Sequence, residues 1–192
     1  IGTVLKMLDQ LLAELKMLSQ TILDDPVLGL RLKGIGVLSK EAVRNYSALG
    51  PTARASGIAI DVRKDHPYAA YDRLEWKMIT DERGDAFART SLRLLESAES
   101  VNIIRQALDK MPQGPIDALV KEIPAGEGIG IAEAPRGEVF HYVRSDGSNR
   151  PVRHKIRPPS YMNLPTCKAS VVGADIADAA IILAAIDPCY CC

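Results

Sequence analysis

Three of the chain's four cysteines, Cys189, Cys191 and Cys192, stand within its last four positions, and Cys189 and Cys192 form a Cys-x-x-Cys pair. Thiolates at this spacing can close on one soft metal ion or act together as a redox dithiol. The pair alone is compatible with zinc, an iron–sulfur cluster, thioredoxin-like chemistry or nickel. Zinc and cubane iron–sulfur sites want about four ligands, and the sequence offers no second Cys-x-x-Cys and no Cys/His pair. A thioredoxin motif should follow an early strand and open a helix, whereas this one follows a helical stretch and ends the chain. The pair reads as half of a four-thiolate site in a reducing compartment. Cys167, alone before Lys168, reads as a buried or indifferent thiol.

The elements that must carry these groups are mostly helical. Val4, Met7, Leu8, Leu11, Leu12, Leu15, Leu18 and Ile22 recur at spacings of three and four, which predicts a helix over Thr3 to Leu23 that Pro26 ends. Ser39 caps a short helix through Ala42 and Val43. Residues 49–80 form a long irregular connection rich in Gly, Pro and mixed charge, and such loops are usually functional. A second long helix spans about Asp81 to Lys110. Phe87, Ser91, Leu94, Leu95, Ala98, Val101, Ile104, Ala107 and Leu108 mark its buried face, and Arg89, Arg93, Glu96, Glu99 and Arg105 its solvated or interface face.

Strands follow at Gly128 to Ala134, Val139 to Val143 and Val152 to Ile156, the last two joined through an Asp-Gly turn at Asp146-Gly147. A final apolar helix, about Ile176 to Ile186, delivers the chain to Asp187-Pro188-Cys189. The order predicts a mainly α (α+β) fold. Residues 1–125 would be a helical bundle portion, 126–160 a small antiparallel β insert, and 161–192 the last helix with its cysteine tail.

Composition narrows the partners. Lys+Arg and Asp+Glu both number 24 in 192 residues, so no basic excess offers a phosphate-tracking surface, and nucleic acid is excluded as a partner. No apolar run reaches the roughly 20 residues a bilayer span needs. The nearest, from Ala174 to Ile186, is broken by Asp175 and Asp178. The first residues lack the order of a signal peptide. The chain opens at Ile1 inside a helical pattern and stops on a cysteine, which suggests a piece of a longer protein.

Asp187-Pro188-Cys189-x-x-Cys192 resembles the C-terminal signature of NiFe-hydrogenase large subunits. The run from Glu133 through Ala134, Pro135, Arg136 and Gly137 to His141 is similar to a second motif of that family, in the right order. Gly50-Pro51 with Arg54 to Gly57, Asp61 to Lys64, Pro67-Tyr68 with Tyr71, Ile103 to Leu108, Ser145 to Ser148 and Lys155 to Pro158 resemble the energy-converting, formate-hydrogenlyase-like branch. They equally resemble the homologous large subunit of respiratory NADH:quinone oxidoreductase (complex I). That quinone-reducing branch lacks the cysteines and typically has lysine in place of Arg136, so the likeness leans to the hydrogenases.

The resemblance implies a long-helix bundle and a nickel–iron centre whose iron carries cyanide and carbon monoxide. Cys189 would be a terminal nickel ligand and Cys192 the bridge to iron, with Cys191 not binding. Arg136 would sit over the open side of the iron, held by Asp187, with Pro135 closing the pocket. Glu138 and His141 are candidates for proton handling or support. The reaction would be H2 oxidation or proton reduction, with electrons exchanged with a ferredoxin-type carrier through a small iron–sulfur subunit and coupled to ion translocation. Integral membrane subunits would hold the protein at the cytoplasmic face of the membrane. The family's other cysteine pair is not in this sequence, so the 192 residues alone are expected to lack the bimetallic centre and be inactive.

The alternatives are a metal-free quinone-reducing subunit and a non-catalytic assembly module. Blander readings also attach to single residues. His66 and His154 read as structural or exposed, His141 as a hydrogen-bonded core histidine, and Tyr68 and Tyr71 as packing residues. Arg153, Lys155 and Arg157, alternating on one strand, read as a solvated face.

Overall fold

The chain begins with helix α1 (Gly2–Asp24), followed at once by α2 (Pro26–Leu32), in the computed structural model, which describes residues 1–118, 120 and 122–189. Pro26 does end α1, but it also starts α2, a helix that the apolar pattern did not predict. The Asp25 carboxylate accepts from the Val27 and Leu28 amides, both at 2.8 Å. With proline at the first helical position, capping and a preset φ restart the helix after one extended residue. α1 buries only Leu8 and packs along α6 (Ala86–Asp109), leaving Met7, Leu11, Leu12, Met17 and Leu18 exposed.

The predicted connection over 49–80 is irregular but not unstructured. After the Ser39-capped α3 (Lys40–Asn45) it contains α4 (Gly50–Arg54), α5 (Val62–Asp65) and a 3-10 turn at Tyr71–Arg73. Its first part, residues 50–56, is buried throughout. Leu38, Val43, Ala48 and Ala53 form one core cluster, and Ala55, Ala88 and Leu92 another.

α6 starts five residues later than the sequence pattern suggests. Gly84, at φ +68°, turns the chain out of helix, and Asp85 caps by accepting from the Ala88 amide at 2.7 Å. The buried face also differs from the expected one. Leu95 and Ile104 are exposed, whereas Arg89, placed on the solvated face from its charge, is 0% exposed. Its guanidinium donates to the carbonyls of Gly84 and Gly36, both at 2.8 Å, which is what allows the charge inside. Burial, reinforced by Arg93, pulls its pKa down to about 10.

Strands β1 (Ala125–Ala134), β2 (Gly137–Asp146) and β3 (Pro151–Arg157) form an antiparallel sheet in that order. Ala134 pairs with Gly137, so Pro135 and Arg136 are the two residues of a tight hairpin turn. Three short elements follow, α7 (Pro159–Asn163), α8 (Thr166–Val171) and a 3-10 turn at Ile176–Asp178. The last helix, α9 (Ala179–Ile186), packs on α6 and α8. The fold is α+β, as its element order predicts.

One crossing fixes the hairpin. A Cβ on Gly50 would lie 2.4 Å from the Arg136 carbonyl oxygen, and Gly50 sits at φ +59°. Gly50→Ala is therefore expected to destabilise the chain by about 3 kcal/mol, combining left-handed strain with overpacking against backbone. Thermal unfolding of the variant checks it.

Candidate functional site

The turn that carries Arg136 and the end of α9 that carries Asp187 meet face to face. Arg136 Nη2 donates to Asp187 Oδ1 at 2.9 Å, and Arg136 Nε to the Asp187 carbonyl at 3.1 Å. Asp187 can receive both because it caps α9 in the left-handed conformation, φ 59° and ψ 58°. Aspartate enters that region more readily than most residues, at a cost that marks functional positions.

Arg93, on α6, holds the same helix end from the other side. Its Nη1 donates to the Ala185 carbonyl at 2.8 Å, its Nη2 to the Ile186 carbonyl at 3.1 Å, and its Nε lies 3.7 Å from Asp187 Oδ2. A cation on these unpaired carbonyls satisfies the C-terminus of α9 and its dipole together. Burial lowers the Arg93 pKa, and the Asp187 carboxylate opposes that effect.

The short helix α7 ties the hairpin turn and the α9 end together. Ser160 Oγ accepts from the Cys189 amide at 2.9 Å. Asn163, almost fully buried, accepts from the Leu49 amide at 2.8 Å and donates to the Arg136 carbonyl at 3.1 Å. Neither residue stands out in the sequence. An Asn or Ser in a run without strong periodicity carries no visible signal, although Pro158-Pro159 marks where such a helix could start.

Arg136, Asp187 and Pro135 open onto a cleft of about 420 Å³, lined also by Arg54, Arg93, Glu96 and Glu133. Its inner wall is a buried ion cluster. Arg54 donates through Nε to Glu96 at 2.6 Å and through Nη1 to Glu133 at 2.9 Å, and lies 3.4 Å from Asp61. Burial lowers the Arg54 pKa most strongly, but Glu96 and Glu133 outweigh it and hold the pKa above its ordinary value. Burial raises the Glu133 pKa, with Arg54 opposing and Asp61 reinforcing.

The sign of that shift fixes a pH effect. A carboxyl with a raised folded pKa contributes stability that is complete below its ordinary pKa and is lost as pH rises through the folded value. Glu133→Gln should therefore flatten the stability–pH curve over that interval, measurable by denaturant unfolding across pH.

The residues expected from sequence divide cleanly. Arg136, Asp187 and Pro135 share the cleft, and half-buried Cys189 stands two residues beyond Asp187. Cys191 and Cys192 lie outside the described residues. Glu138 is ion-paired with Arg157 and lines a second pocket. His141 is on β2, its Nδ1 2.9 Å from His154 Nε2, and does not line the cleft. Arg93 and Glu96, expected on a solvated or interface face, line it. Among the described residues no three His, Cys, Asp or Glu side chains form a metal-sized group. No described helix is long and apolar enough to cross a membrane.

Known proteins resemble this chain over most of its length. A carbon monoxide-induced hydrogenase of Rhodospirillum rubrum is 47% identical over 163 residues, covering 84% of this chain and 45% of that protein. A polypeptide of the NADH-quinone oxidoreductase of Dehalococcoides mccartyi is 40% identical over 185 residues, covering 95% and 50%. The chain thus spans about half the length of these curated relatives. A solved structure of the membrane-bound sulfane sulfur reductase, an archaeal respiratory membrane complex, contains a chain that superposes with TM-score 0.90. That chain is 33% identical, with 98% of this chain and 53% of that one covered. The family described as the 49 kDa subunit of respiratory-chain NADH dehydrogenase matches residues 1–123 and 118–192, and the chain belongs to that family.

Proposed function

We propose that the chain is part of the catalytic large subunit of an energy-converting, formate-hydrogenlyase-like hydrogenase, and that Cys189 and Cys192 supply two of the four thiolates of a nickel–iron centre. The observation that carries the reading is the doubly bonded Arg136–Asp187 pair, with Cys189 two residues further on and its amide fixed by Ser160. Thiolates are the ligands that nickel and low-valent iron prefer, and a half-buried cysteine beside a polar cleft suits that donor set.

When bound, the nickel–iron group supplies a soft, redox-active pair of metals, the iron with cyanide and carbon monoxide ligands, that polarises H2 for heterolytic cleavage. Cys189 and Cys192 would hold the group through their thiolates. Arg136 keeps its charge at any working pH and presents planar donors to anionic ligands in the cleft. Asp187 fixes the direction of those donors through a charge-assisted bond. Arg93 keeps the end of α9, and with it the cysteine segment, in place. Pro135 narrows the cleft mouth, and Glu138 and His141 stand further out as proton-handling groups.

The whole protein would oxidise H2 or reduce protons. It would pass electrons through a small iron–sulfur subunit to a ferredoxin-type carrier, and sit peripherally on integral membrane subunits at the cytoplasmic side. The similarity to the Rhodospirillum rubrum hydrogenase favours this over a metal-free quinone-reducing subunit. Elemental analysis of the native complex should find nickel and iron, and the complex should reduce viologen with H2. A complex free of nickel, or inert toward H2, overturns the proposal.

A further inference from the structure

A hydrogenase must carry protons between its metal site and solvent, and the following inference rests on that reading. Glu133 borders two cavities. One is the cleft that holds Arg136 and Asp187. The other, about 200 Å³ in volume, is lined by Asp61, Asp65, His66 and Glu138, and Asp65 and His66 are exposed. Glu133 is the one described residue that lines both. Both cavities are large enough for water and carry carboxylates in their lining.

Glu133 sits buried among cations and carboxylates that come from several elements. Arg54 of α4 bonds Glu96 of α6 and Glu133 of β1 and lies near Asp61 at the α5 cap, Arg63 of α5 pairs with Asp61, and Arg93 of α6 faces Glu96 and Asp187 from the cleft side. On β2, Glu138 stands directly across from Glu133 in the sheet register, and it is already paired with Arg157. Tyr68 contributes a neutral hydroxyl that accepts from the Glu133 amide at 3.0 Å. Arg136, three residues on, serves Asp187. A carboxyl taken out of water holds its proton more tightly than one in solvent. The upward pull of burial on the Glu133 carboxyl agrees with that.

We propose that Glu133 transfers protons between the Arg136 cleft and the outer pocket of Asp65 and His66. A donor in the cleft loses its bond to hydrogen as the Glu133 carboxylate gains the proton. Glu133 then releases the proton to the His66 imidazole or a water and returns to carboxylate. No proton is retained and no electron moves.

The test uses the intact complex with three variants. Glu133→Gln keeps the shape and can still accept from Arg54, so nickel content should match wild type while H2 turnover falls roughly a hundredfold. Infrared spectra recorded across pH should lose a carboxyl titration lying above the ordinary carboxylate range. Glu133→Asp should retain part of both. His66→Ala, at an exposed position that leaves the fold intact, should slow turnover several-fold, and added imidazole should restore it. Turnover within twofold of wild type in Glu133→Gln, an infrared titration that persists in that variant, or a His66→Ala enzyme that imidazole does not speed overturns the inference. A wild-type complex without nickel overturns the hydrogenase reading instead, and the infrared titration then still decides whether Glu133 holds the proton.

Discussion

Cys189→Ser is expected to leave the subunit folded and assembled, yet remove nickel from the complex and abolish its turnover of H2. A serine hydroxyl is a harder ligand than a thiolate and stays protonated at any working pH, so one of the four soft donors of the proposed centre would be lost outright. The fold should hardly notice. Cys189 is only half-buried, and its anchoring bond to Ser160 runs through the backbone amide, which serine keeps. The unfolding free energy should stay within about 0.5 kcal/mol of wild type. Cys167→Ser is the matched control, because Cys167 lies on α8 away from the cleft, and it should retain both nickel and activity. Elemental analysis and an H2–viologen assay on the same preparations decide the matter. Full nickel in Cys189→Ser would show that this thiolate is not a ligand and would remove the chemical basis of the reading.

The site is legible in sequence where chemistry demands a residue type at a fixed spacing. Asp187, Cys189 and Arg136 stand in short motifs, and the structure brings Arg136 onto Asp187 from 51 residues away. The long helices and the strands are legible from period, because α1 and the sheet follow their apolar or β-forming patterns. What stays hidden depends on long-range polar contacts. Arg89 and Arg93 look like surface residues on a helical wheel, since nothing local tells that backbone carbonyls of Gly36, Ala185 and Ile186 will receive them. Glu133 and Arg54 stand inside recognisable motifs without a visible role, and only the closure of α4 against the β1 end makes them neighbours. Short helices such as α2 and α7 are set by a cap or a proline, not by amphipathic repetition, so they pass unseen in a periodicity scan.

Asp187→Asn should cut H2 turnover by about 10- to 100-fold with nickel retained, the size of effect seen when the partner of a metal-site group is removed. Asparagine tolerates the left-handed backbone that Asp187 adopts, so the variant removes charge without adding strain. Asp187→Ala would add roughly 1–2 kcal/mol of conformational cost and confuse the two effects. In Asp187→Asn the Arg136 side chain loses the charge of the Asp187 carboxylate, and Arg93 loses the larger of the two negative charges that offset its burial. On the proposed reading, Arg136 held less firmly should donate less well to the cyanide ligands of the iron, and their infrared bands should shift. A merely structural role for Asp187 would lower stability and leave those bands in place. Combining Asp187→Asn with Arg136→Lys should cost little more than either change alone, because both break the same interaction and contacting pairs are non-additive. Fully additive losses would mean that the two residues act separately, and that the carboxylate does not aim the guanidinium into the cleft.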